Sequence, residues 1–142
     1  MVNLVLAMRD LIVQAATECM GTPFHHQGRV VGVGIDCAGV LVHILKSLEL
    51  PFIDEKGYPR LPYRGLIKSI LDSQPALEEI DKKTIQRGDV LLMRFLREPQ
   101  HVAIYTGSTM IHSYSEIGRV VEHSLDNLWS KRITNAYRII SV

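Results

Sequence analysis

Near residue 87 the apolar period of this 142-residue chain changes, and few folds accommodate that change. Upstream, apolar residues recur at spacings of three and four; downstream they fall in short runs bounded by turn residues. Residues 3–20 read as a helix with Leu4, Met8, Leu11, Ile12, Ala15, Ala16 and Cys19 on one stripe, stopped by Gly21 and Pro23. A second helix is predicted from Cys37 to near Leu50-Pro51, with Val40, Leu41, Ile44, Leu45 and Leu48 on its apolar face. A short one follows over 64–72. Strands are predicted over 90–95, 101–106, 110–114 and 120–123, a helical turn over 125–129, and a closing strand over 137–142. Residues 51–62 read as a surface loop and 74–86 as a second, polar one, with Lys82-Lys83 solvated. Helices first and strands afterwards imply an α+β fold, N-terminal helices packed on a C-terminal antiparallel sheet. No repeat, linker or low-complexity stretch divides residues 1–142, so one domain is expected.

Charge narrows the partners. Sixteen basic residues stand against fifteen acidic ones, a net charge of +1 with no basic stripe, which argues against nucleic acid. No apolar run approaches the roughly 20 residues needed to cross a bilayer. The apolar opening is broken at Arg9 and Asp10 and carries no basic lead-in or small-residue cleavage site. The expectation is a chain made in the cytoplasm without a signal peptide. Its two cysteines form no disulfide framework. Cys19 lies on a helical stripe, where a thiol packs as a small hydrophobe.

Cys37 is different. Asp36 is an N-cap residue, and Cys37 then takes the first helical position, where the helix dipole favours thiolate over thiol. The preceding residues 21–36 form a glycine-rich loop. Gly28, Gly32 and Gly34 do not match a phosphate-binding pattern and instead let the backbone come close to another chain or a ligand. His25 and His26 on this loop are placed to line a cleft. A nucleophilic thiol needs a base, and two histidines occupy neighbouring predicted strands, His101 and His112, joined by a hairpin about Gly107. On the first of these strands His101, Ala103 and Tyr105 face one way and Val102 and Ile104 the other. A zinc site from Cys37, His101 and His112 is the chemical competitor, but it lacks a paired Cys-x-x-Cys or His-x-x-x-His spacing. Neither a metal nor a cofactor is expected. His43 reads as surface, His123 as a strand end with no evident partner, and Arg87-Gly88-Asp89 as a turn.

Asp36-Cys37-Ala38-Gly39, then His101-Val102-Ala103-Ile104-Tyr105, then Ile111-His112-Ser113 resembles the NlpC-type family of bacterial cell-wall cysteine peptidases. Gly88-Asp89-Val90 and Gly21-Thr22-Pro23-Phe24 match the same pattern, and His26-Gln27-Gly28 is most similar to its phage and prophage branch. The resemblance implies a papain-like fold and hydrolysis of amide bonds in peptidoglycan stem peptides, often after a D-γ-glutamyl residue. It makes Cys37 the nucleophile, His101 the general base and His112 the polar third member that orients it. It also implies a place among phage tail-tip proteins, in the virion or a phage-like particle. Phe24, His25, His26 and Asp36 are the expected substrate-side residues. Many family members carry a tyrosine where this chain has Phe24, and His25 or His26 is the candidate to replace its hydroxyl. That departure motivates the alternative, a tail-tip structural component with little or no catalysis.

Overall fold

The structure is a computed structural model that describes residues 4–62 and 64–141. Helix α1 (Leu4–Glu18) leads into a small hairpin of β1 (Arg29–Val30) and β2 (Gly34–Ile35). Helices α2 (Cys37–Ser47) and α3 (Leu66–Asp72) follow, then β3 (Leu77–Ile80) and a 3-10 turn at Lys82–Thr84. Strands β4 (Val90–Arg94), β5 (Pro99–Tyr105), β6 (Thr109–Tyr114) and β7 (Arg119–Ser124) are succeeded by a short α4 (Asn127–Ser130) and β8 (Ile133–Ile139). Six strands pair antiparallel in the order β3-β8-β4-β5-β6-β7. The result is a papain-like α+β fold. No helix among the described residues is long and apolar enough to cross a membrane.

The period-two pattern divides the sheet's two faces. Val90, Leu92, Val102, Ile104 and Ile111 pack with Ile12, Ala16 and Cys19 of the first helical segment and with Val40, Leu41, Ile44 and Leu45 of α2. Leu91, Met93, Ala103, Met110, Ile133 and Ala136 form a second cluster on the opposite face, joined by Tyr105, Leu125 and Trp129. Cys19 is fully buried, as its stripe predicts.

Several expectations are corrected. The fully buried positions of α1 start at Ile12; Leu4 and Leu11 are exposed, and Met8 is only partly buried against the core. Residues 77–80 are a strand rather than loop. Glu78-Glu79 hides its alternation, but Leu77–Ile80 lies on the sheet edge, where backbone pairing with β8 suffices. That last strand begins at Ile133, four residues before the predicted start, and runs inside the sheet between β3 and β4. Residue 3 of the predicted first helix and residue 142 of the closing strand lie outside the described residues.

The 51–62 loop is not simply surface. Gln74 receives the Ile53 N–H at 2.9 Å and donates to the Ile53 carbonyl at 2.8 Å, which pins the loop and lets Tyr58 bury itself. At the other end of the sheet, residues 21–24 lie along the outer edge of β7. Val120 N–H donates to the Thr22 carbonyl, Gly21 and Phe24 donate back to Val120 and Gly118, and Pro23 bridges Arg119.

Candidate active site

Cys37 opens α2 because Asp36 terminates the loop before it. Asp36 has extended backbone, and its carboxylate accepts the Gly39 N–H at 2.9 Å, as a cap does. The same carboxylate accepts from the Gln27 N–H at 2.9 Å, from Arg29 at 2.9 Å, and from the Tyr58 hydroxyl. It is 3% exposed and fully engaged. Two glycines allow the loop to fold this tightly. A Cβ at Gly28 would sit 2.6 Å from the Gly34 carbonyl oxygen, and one at Gly39 would sit 2.4 Å from that of Gly28. Of the three glycines expected to bring backbone close to another chain or a ligand, Gly28 and Gly34 do so against this chain's own residues, whereas a Cβ at Gly32 would meet nothing within 4 Å.

Burial pushes the Cys37 thiol up to about 12, with the neighbouring Asp36 charge acting the same way. The backbone N–H groups of Val102 and Ala38 and the Arg29 charge pull in the opposite direction and are outweighed. Burial is the largest influence on the thiol and works against the thiolate that its helix end favours.

On the sheet, β5 and β6 pair only at Ile104↔Ile111 and Tyr105↔Met110, near their hairpin. Beyond that point the strands part, and two imidazoles occupy the gap. His101 Nε2 lies 2.6 Å from His112 Nδ1, with both rings buried. His112 Nε2 lies in turn 2.8 Å from His123 Nε2, and His123 Nδ1 is 3.0 Å from the Ser124 carbonyl oxygen. Tyr114 stacks on His112 at 5.4 Å, Phe95 lies 5.0 Å from His101, and Trp129 packs at 5.1 Å on both His112 and His123. Burial holds His101 well below the usual imidazole range, and burial followed by the nearby His123 lowers His112 to about 3. Both rings are neutral at ordinary pH.

Cys37 and His101 line one cleft, whose walls also include Phe24, His26, Asp36, Tyr58, Arg60, Gln100, Ser113 and Tyr114. The NlpC/P60 family pattern matches residues 21–138, a span that contains both sides of this cleft. This chain belongs to the NlpC/P60 family. Murein DD-endopeptidase MepS/murein LD-carboxypeptidase of Escherichia coli is 25% identical over 112 residues, 76% of this chain and 51% of its own length. The chain thus spans about half the length of the curated relatives it matches. An NlpC/P60 family protein from Bacillus cereus ATCC 10987 superposes with a TM-score of 0.71 at 22% identity, over 94% of this chain and 40% of that one. RipD from Mycobacterium tuberculosis, described as a non-catalytic NlpC/p60 domain protein, gives a TM-score of 0.62 at 16% identity, over 94% of this chain and 98% of that one. Both structural likenesses are likenesses of fold.

Within this NlpC/P60 cleft, four sequence-selected residues come together: Cys37, His101, Phe24 and His26, with Asp36 beneath them. His112 stands directly behind His101. His25 is exposed, outside the cleft lining, with Nδ1 turned to the His26 carbonyl at 3.0 Å. Among the described residues no grouping of three or more His, Cys, Asp or Glu is arranged to hold a metal. The facing nitrogens of His101 and His112 point at each other rather than at a common centre.

Tyr58 and Arg29 escaped the sequence reading. Arg29 donates to Asp36, to Asp54 at 2.9 Å and to the Tyr58 hydroxyl at 2.9 Å, so it ties the hairpin to the 51–62 loop. A lone tyrosine in a Pro-, Gly- and charge-rich segment carries no periodic signal. His123 was also passed over, because its partner is a cross-strand diagonal whose register cannot be read from one strand.

Proposed function

We propose that this chain is a cysteine peptidase that hydrolyses amide bonds of peptidoglycan stem peptides, with residues 1–142 as one catalytic domain. The observation that carries the proposal is a cleft shared by Cys37, at a capped helix start, and His101, whose ring is hydrogen-bonded to His112 at 2.6 Å. The family and the murein endopeptidase relative supply the substrate class. With burial raising the thiol and lowering the imidazole, His101 takes the Sγ proton as sulfur attacks the carbonyl carbon. The developing oxyanion meets the Cys37 N–H at the helix start; the cap occupies Gly39's N–H instead. His101 then protonates the departing amine, and water attacks the thioester with the same ring as base. His112 orients His101 throughout.

The chain's place in a phage or phage-like tail rests on the resemblance of His26-Gln27-Gly28, and other tail-tip proteins are then its partners. The defining test compares release of peptidoglycan fragments by the wild type and Cys37→Ala. Release by the wild type alone is expected, falling at least about a thousandfold in the variant; equal release from both sinks the peptidase reading.

A second reading is favoured by Phe24, which brings no hydroxyl to the cleft, and by the raised Cys37 thiol. It is a tail-tip structural domain that holds wall peptide without cutting it, in the manner described for RipD. Binding of wall peptide by the wild type with no release of fragments supports this reading over the first.

A further inference from the structure

A chain of imidazoles has a direction, and one atom decides it here. The Ser124 carbonyl oxygen has no hydrogen to give, so the contact at 3.0 Å requires the proton on His123 Nδ1. An imidazole whose one ring proton is held there offers only a lone pair at Nε2. His112 must fill the 2.8 Å contact with an Nε2–H, which leaves its Nδ1 as acceptor. His101 must in turn fill the 2.6 Å contact with its own Nε2–H. The lone pair left on His101 is at Nδ1.

We infer that His123 is a positioning residue for the reaction, one that sets the tautomers of His112 and His101 so that His101 keeps Nδ1 free to take the Cys37 proton. This rests on the assignment of His101 as the base. The geometry supports a built arrangement rather than a chance contact. Trp129 packs on both His112 and His123, Arg132 lies 4.3 Å over the Trp129 ring, and Tyr114 closes the other side of His112. The opposite tautomers would put the His101 proton on Nδ1, the ring nitrogen that does not meet His112, and leave no lone pair to take the Cys37 proton. Tautomer control of this kind is how an outer residue acts on a catalytic imidazole without touching substrate.

The test uses the intact chain with uniformly labelled histidine nitrogens and long-range nitrogen–proton correlation at neutral pH. The wild type is expected to show Nδ1–H for His123 and Nε2–H for both His112 and His101. His123→Leu is expected to scramble the tautomers of His112 and His101 and to lower kcat on peptidoglycan fragments roughly tenfold with KM little changed. His123→Gln, whose amide oxygen can accept from His112, is expected to restore most of kcat and the Nε2–H pattern. Should the leucine variant fail to fold, the wild-type spectrum and the glutamine variant carry the test. Nδ1–H on His101 or His112 in the wild type overturns the inference. So does a folded His123→Leu with unchanged tautomers and kcat, when His101→Ala abolishes turnover. Full turnover by His101→Ala instead overturns the assignment of the base.

Discussion

The two walls of the cleft are held by different physics. Around Cys37 the polar groups are charged and saturated: the Asp36 carboxylate accepts from two backbone N–H groups, Arg29 and Tyr58. Around His101 they are directional: His101 and His112, both held low by burial, stand in series with His123 and end on a carbonyl. A saturated ion cluster fixes where a backbone goes and has no second arrangement to adopt. A chain of rings in series fixes which atom holds a proton. On the proposed reading, the nucleophile Cys37 is placed by charge and the base His101 is prepared by hydrogen-bond polarity.

The largest expected effect breaks the charged wall. Arg29→Met leaves the buried Asp36 carboxylate without its cation and should cost about 3 kcal/mol, read as a lowered midpoint in urea. The same variant should slow alkylation of Cys37 by iodoacetamide, because the Arg29 charge is one of the influences that lower the thiol. An unchanged midpoint would show that the cluster does not anchor the loop. Next comes Gly28→Ala, whose Cβ meets the Gly34 carbonyl; overpacking there should cost about 2 kcal/mol in the same measurement.

The imidazole wall gives a pH effect instead. His112 titrates near about 3 when folded, against 6.5 for the ordinary ring. As pH falls below 6.5 the unfolded chain takes up the proton first, so stability present above 6.5 drains away as pH drops toward 3. A plot of Tm against pH should fall over that window, with a shallower slope in His112→Asn. Equal slopes in the two proteins would remove His112 from the account. The smallest effect is a sharpening one. Phe24→Tyr restores a hydroxyl at the cleft wall and should raise kcat by a factor of about two to five without moving Tm; a fall in kcat counts against a role for that hydroxyl.

Elements with a strong local period were legible in the sequence. The face of α2 from Val40 to Leu45 is buried as its spacing predicts, Asp36 caps as its chemistry predicts, and β5 alternates about Val102 and Ile104. What escaped depends on tertiary pairing. Leu77–Ile80 is a strand only because β8 is there to receive it, and Thr134-Asn135 conceal where β8 begins. Tyr58 is buried by a loop that Gln74 pins at Ile53, 21 residues away. His123 meets His112 across a strand pair, a contact set by register rather than by composition. The thiol's surroundings belong here too: a helix end is visible in sequence, but the burial that pushes the thiol up is not.

The segment laid along β7 has a consequence for association. An edge strand is ordinarily an open template for another chain, since its outward N–H and C=O groups are unpaired. Here Thr22, Pro23 and Phe24 occupy that margin of the sheet, and proline presents no N–H for a newcomer to pair with. Neither a second copy nor a wall peptide can extend the sheet on this side without first displacing the loop. This margin of the sheet is thereby guarded against edge-to-edge aggregation, beside the very strand that carries His123.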